Sequence, residues 1–128
     1  MSNLRVVEHP VLQDSLARLR DKNTKPADFR RLMADAGLLL GLAALEDLKL
    51  ATAKVTTPMT STKVQRLGQP VALVAILRAG LGLLPKLSEL LPDAATGHIG
   101  LYRNEETLNP IRYYVRLPNG IAKTTVLL

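Results

Sequence analysis

No cysteine occurs among the 128 residues, which excludes a disulfide framework and any metal site built on thiolates. Tryptophan is missing as well, and the aromatics amount to one phenylalanine and three tyrosines. Binding of single-stranded nucleic acid leans on aromatic platforms under the bases, so this shortage weighs against a nucleic-acid partner. The two histidines, His9 and His98, have no clustered partners for a metal or a triad and are read as structural or surface residues. No apolar run approaches the roughly 20 residues of a membrane-spanning helix, and the opening MSNLRVVEHP holds no signal-peptide core. A soluble, cytoplasmic chain with no membrane partner is the expectation. One sign of charge is also absent from a long stretch: from Lys49 to Lys86 the cations Lys49, Lys54, Lys63, Arg66, Arg78 and Lys86 meet no aspartate or glutamate.

What is present points to one globular domain with an anionic partner. The chain is 47% hydrophobic and 22% charged, and its length suffices for a single core. Its net charge is +6, which favours anions in general without choosing between a small phosphorylated ligand and RNA.

Periodicity organises the chain from its amino end. HPVLQDSLARLRDK repeats Leu12, Leu16 and Leu19 at helical spacing behind Pro10, a residue tolerated in a first turn. NTKPADFRRLMADAGLLLGLAALEDL predicts a longer helix with Thr24 as N-cap, Pro26 in the first turn, and Phe29, Leu32, Met33, Ala36, Leu40 and Ala43 along one apolar stripe. Gly37 and Gly41, four apart on that helix, either admit close packing of another helix or are simply tolerated. From Ala51 the helical period stops. Two short Thr- and Val-rich strands around the turn TTPMTST read as a hairpin at a sheet edge. QPVALVAI is a continuous apolar run, the mark of a parallel strand covered on both faces. LGLLPKLSELLP then reads as a helix and GHIGLY as a further strand, giving the strand–helix–strand crossover of an α/β fold. RNEETLNP is loop-like, IRYYVRL alternates as a strand, PNG turns, and AKTTVLL begins one more strand. The division expected is a helical arm over 1–50, a hairpin over 51–70 and a partial α/β core over 71–128, together one incomplete domain. It is read as incomplete because the closing Val-Leu-Leu begins a buried strand without the loop and helix that should cover it.

The chemistry gathers at the strand ends. An unpaired guanidinium costs several kcal/mol to bury, so Arg78, after the apolar VALVAIL, belongs at the mouth of its strand facing an anion. Backbone N–H groups around Ala79 and Gly80 could converge with it on a phosphate, although an ordinary turn beside a solvated arginine has the same spacing. Arg103 occupies the matching place after HIGLY, and two arginines on one rim suit pyrophosphate. Glu105 and Glu106 are read as exposed loop carboxylates, with no catalytic role assigned. Gly80-Leu81-Gly82 is not a dinucleotide fingerprint, since no third glycine follows in place and no acidic residue sits about 20 positions on.

ILRAGLG (76–82), GHIGLYRNEETLNP (97–110) and LRDKNT (19–24) together resemble the uracil phosphoribosyltransferase family, in its usual order and spacing. The resemblance spans essentially the whole chain and implies a type I phosphoribosyltransferase fold. It implies transfer of ribose 5-phosphate from phosphoribosyl pyrophosphate to uracil, yielding UMP and pyrophosphate, with Mg²⁺ accompanying the substrate, GTP as an allosteric activator, and a homodimer. Carried over by position, Arg78, Ala79, Gly80 and Arg103 would contact phosphoribosyl pyrophosphate. Asn104, Glu105, Glu106 and Thr107, within the segment 104–110, would belong to a mobile loop over the site. The family's phosphoribosyl-binding loop would begin just after Leu128 and its uracil-recognising segment beyond that, so the pyrophosphate half is what this chain is expected to hold, and by itself the chain is expected to be inactive. Two other readings stay open: a non-catalytic protein that binds RNA or another phosphate ligand on the same rim, and a helix-mediated interaction module built on Gly37 and Gly41.

Overall fold

The computed structural model describes residues 4–128. Its elements are helices α1 (Pro10–Arg20) and α2 (Pro26–Ala44), strands β1 (Leu50–Thr56), β2 (Ser61–Leu67) and β3 (Val71–Leu77), a 3₁₀ turn (Ala79–Leu83), helix α3 (Pro85–Leu90), and strands β4 (Ala95–Arg103), β5 (Pro110–Arg116) and β6 (Thr125–Leu127), the last preceded by a 3₁₀ turn at Ile121–Lys123. Proline opens each of the three α-helices, where its fixed φ suits the first turn and its missing N–H is not needed.

Local chemistry accounts for the helix ends. His9 caps α1, its Nδ1 accepting the N–H of Val11 at 3.2 Å. At the far end Thr24 Oγ1 donates to Arg18 O at 2.5 Å and Asp21 Oδ1 accepts the N–H of Asn23 at 2.9 Å, so LRDKNT is the turn that closes α1. Thr24 is therefore not the N-cap of α2. Lys25 stands there without a side-chain cap bond, because the threonine hydroxyl is engaged at the end of α1, where the Arg18 carbonyl also accepts the Asp21 N–H. Arg5 ties the N-terminal segment to the end of α2, donating to Ala43 O at 3.2 Å and to Glu46 at 2.6 Å. The hydrogen bond to Glu46, and then that carboxylate's charge, raise the Arg5 pKa above its ordinary value.

The sheet carries the site. Its order is β5-β4-β3-β6, with β3 parallel to both β4 and β6, and β5 antiparallel to β4. Val71 to Ala75 are all buried, as the continuous apolar run requires, and Leu73 is 1% exposed. Val71, Leu73 and Leu87 form the core cluster, packed by Leu38, Leu45, Leu84 and Leu127 among others. The hairpin β1–β2 differs from expectation: it pairs Leu50 with Leu67 through Thr56 with Ser61 as a separate two-stranded sheet, not as an edge of the main one. The expected helix over LGLLPKLSELLP also divides, into the 3₁₀ turn and the six-residue α3, with Pro85 at the first position of the new helix.

α2 buries only part of the stripe its periodicity suggests, Leu32 and Ala36, and adds small residues beside it. Leu32, Ala34, Ala36, Gly37 and Gly41 are buried, whereas Phe29 and Leu40 are 44% and 42% exposed. The reason is tertiary. Gly37 and Gly41 allow the 3₁₀ turn and α3 to press directly onto the helix backbone, which turns the small residues inward and the two large ones toward solvent. The glycines thus pack within this chain, which corrects their reading as the contact surface of an interaction module. Asp35 and Lys86 pair between α2 and α3 beside this contact.

Candidate functional site at the carboxyl ends of β3 and β4

β3 emerges from the core as it approaches the site. Ala75 is 3% exposed, Ile76 41%, and Arg78, next after the strand, is exposed. The Leu77–Arg78 peptide bond is cis. Arg78 leads into the 3₁₀ turn, whose first hydrogen bond runs from Leu81 N to Arg78 O at 3.1 Å. The turn itself does not use the amides of Ala79 and Gly80, since the first N–H groups of a helical turn have no partner within it. Guanidinium and amides together make a donor set of the kind that donates to phosphate oxygens.

Arg103 lies at the same end of the sheet but farther out. Gly100 is the residue of β4 that pairs with Leu77, the last of β3, and Arg103 comes three residues later, opposite Pro110 on β5. At the rise of an extended chain, that places it about 10 Å beyond the end of β3 on a projecting β4–β5 arm. The two arginines thus share an end of the sheet but stand at different heights, a step that strand spacing alone did not reveal. Among the described residues neither guanidinium forms an ion pair, and both are exposed.

The loop from Asn104 to Asn109 closes this arm and is organised by one side chain. Asn104 Oδ1 accepts the N–H groups of Glu106 at 2.9 Å and Thr107 at 2.8 Å. The Asn104 backbone pairs with Asn109 O and Leu108 N, both at 2.9 Å, and Leu108 takes a φ of 57° to close the turn. Glu105 and Glu106 are exposed, as expected of loop carboxylates, and neither forms an ion pair with Arg103. Beside the arm, Leu101, Tyr102, Arg103, Leu108 and Pro110 line a shallow pocket of about 270 Å³. Tyr102 and Tyr113 meet with ring centroids 6.1 Å apart, the Tyr113 ring lying over Gly100.

A larger groove, about 720 Å³, lies at the opposite end of the sheet, between β1–β2 and the segment from Leu90 to Ala94. Its lining is mainly apolar, with Arg66 and Asp93 as the charged members, and it includes neither Arg78 nor Arg103. Chemistry outweighs volume here, because anion recognition needs converging donors. His98 is half-buried within β4, and among the described residues no group of three or more His, Asp or Glu side chains could hold a metal ion. No helix among the described residues is long and apolar enough to cross a membrane.

Sequence reasoning missed the seat of the 3₁₀ turn on α2 and the brace between Lys86 and Asp35. The signal for the first was visible, two glycines four apart in GLLLG, but its partner lies some 45 residues downstream and no local rule names it.

Comparisons with known proteins agree with this architecture. A family model described as uracil phosphoribosyltransferase matches residues 6–128. The uracil phosphoribosyltransferase of Thermus thermophilus is 47% identical over 124 residues, covering 96% of this chain and 60% of the relative. That of Alkaliphilus oremlandii is 44% identical over 122 residues, covering 94% and 58%. Among solved structures, the AQ2163 protein from Aquifex aeolicus superposes with a TM-score of 0.82 at 33% identity, over 88% of this chain and 54% of that one. The chain therefore spans about 60% of the length of the curated relatives it matches. With a family model covering nearly all of its length and relatives well above 40% identity, the chain belongs to the uracil phosphoribosyltransferase family.

Proposed function

We propose that the protein transfers ribose 5-phosphate from phosphoribosyl pyrophosphate to uracil, giving UMP and pyrophosphate, and that this chain supplies the pyrophosphate side of the site. The observation that carries the reading is Arg78, exposed and, among the described residues, without an ion pair at the end of a buried parallel strand, followed by a turn whose first amides its own bonds do not use. As the C1′–O bond breaks, negative charge grows on the leaving pyrophosphate, and donors already in place lower that barrier without reorganising. Arg78 with the amides of Ala79 and Gly80 would hold the pyrophosphate, and Arg103 would reach it from the β4–β5 arm. The loop Asn104–Thr107 would fold over the occupied site. No covalent nucleophile is required.

Mg²⁺, which keeps several waters and binds through substrate phosphates, would arrive with phosphoribosyl pyrophosphate as part of the substrate. Regulation by GTP and assembly as a homodimer rest on the family resemblance. Gly37 and Gly41, consumed inside the chain, take no part in that assembly.

The rival is a non-catalytic RNA-binding protein. Its support is the hairpin, where Lys54 stands directly opposite Lys63 and no acidic residue lies between Lys49 and Lys86. The test uses this chain and a chimaera in which the C-terminal part of the Thermus thermophilus relative follows residue 128. Uracil-dependent release of pyrophosphate by the chimaera supports the transferase. RNA binding that weakens steeply with salt, without turnover, supports the rival.

A further inference from the structure

Gly37 and Gly41 stand about one turn apart on α2, yet the two contacts differ in kind. A Cβ on Gly37 would lie 2.1 Å from Leu83 O, 2.7 Å from Leu83 Cα and 2.8 Å from Leu83 C, all backbone atoms of the 3₁₀ turn. A Cβ on Gly41 would meet Leu87 Cδ2 at 2.3 Å and Cδ1 at 2.9 Å, the tip of a flexible side chain. The second obstacle can be relieved by a shift of the Leu87 side chain, at a cost in core packing. The first yields only if the turn itself moves.

That turn has little freedom to move elsewhere. It begins at Arg78 on the end of buried β3, a Cβ on Gly82 would already reach van der Waals range of Met33 on α2, and Lys86 just beyond it pairs with Asp35 of α2. Relieving the Gly37 clash therefore displaces the short segment between two fixed ends, which is the segment that presents Ala79 and Gly80.

We propose that Gly37 is a positioning residue for pyrophosphate: the absence of a side chain there sets the height of the turn Ala79–Leu83 above α2, and through it the aim of Arg78 and of the Ala79 and Gly80 amides. The inference rests on the pyrophosphate role proposed above. Opening the contact to ordinary separation shifts the turn by about 1 Å, a displacement that can cost up to about a hundredfold where groups must be aligned. Pyrophosphate affinity should fall at least about tenfold.

The experiment titrates inorganic pyrophosphate into the ¹⁵N-labelled 128-residue chain and follows its amides. In the unaltered chain the Ala79 and Gly80 amides and the Gly37 amide are expected to shift together, while Gly41 stays still. Gly37→Ala is expected to bind pyrophosphate at least tenfold more weakly at an equal folded fraction, and Leu83→Ala added to it restores nothing, since the obstacle is backbone. Gly41→Ala is expected to bind within twofold of the unaltered chain at an equal folded fraction. A folded Gly37→Ala that binds within twofold overturns the inference and leaves the pyrophosphate site standing. Failure of the unaltered chain to shift at Ala79 and Gly80 overturns the site and this inference with it. If Gly37→Ala does not fold, the unaltered chain decides: Gly37 unmoved while Ala79 and Gly80 shift overturns the coupling.

Discussion

Replacing Arg78 by alanine separates function from folding cleanly, because this side chain contributes almost nothing to the fold. It is exposed, forms no ion pair among the described residues, and makes no side-chain cap bond to the turn it precedes. Surface substitutions of this kind change stability by no more than about 0.5 kcal/mol, so the melting temperature should move by only a few degrees. A charge-assisted hydrogen bond to a phosphate oxygen is worth roughly 1.5–3 kcal/mol. At about 1.4 kcal/mol per factor of ten, losing one that tightens as pyrophosphate departs lowers kcat roughly ten- to a hundredfold. Uracil affinity should hardly change, since Arg78 would act on the leaving group and not on the base. Arg78→Lys should recover only part of the rate, because an ammonium keeps the charge but cannot offer a planar fork to two oxygens. The assay is uracil-dependent pyrophosphate release by the chimaera with the Thermus thermophilus C-terminal part, with melting followed in parallel. An unchanged rate in folded Arg78→Ala refutes the reasoning, and so does a variant that loses activity only because it unfolds.

Leu73→Ala should destabilise the chain by about 2–5 kcal/mol in urea titrations, since Leu73 is 1% exposed in the core cluster and leaves a cavity among leucines that cannot fully collapse. Asn104→Ala removes the acceptor of the Glu106 and Thr107 amides, so those two amides should exchange with solvent faster while those of Val71–Ala75 keep their protection in hydrogen-exchange measurements. Lys63→Glu turns the Lys54–Lys63 pair across the hairpin from repulsion to attraction and should raise stability by about 0.2–1 kcal/mol at low salt, an effect that fades in concentrated salt.

Local rules were enough for the elements whose residues answer to their immediate neighbours. Pro10, Pro26 and Pro85 mark helix starts because a fixed φ and a missing N–H matter only within one turn, and VALVAI declares a doubly covered strand because both of its faces are apolar. Arg78 was legible for the same reason: a guanidinium directly after such a strand has few places to go. Elsewhere distant chain segments decided. The apolar stripe of α2 allowed more than one buried arc, and the turn at Leu83 and the side chain of Leu87 selected the one that contains Gly37 and Gly41, leaving Phe29 and Leu40 in solvent. Thr24 reads locally as the cap of α2, and its hydroxyl instead gives the Arg18 carbonyl at the end of α1 a second hydrogen bond. The height of Arg103 above Arg78 depends on how far β4 runs past β3, a register between strands that neither segment encodes alone. The sequence by itself thus determined the kinds of elements and the chemistry at their ends, through interactions that reach a few residues. Tertiary structure decided which faces meet and at what offset, because close packing is settled by shape between segments some 45 residues apart.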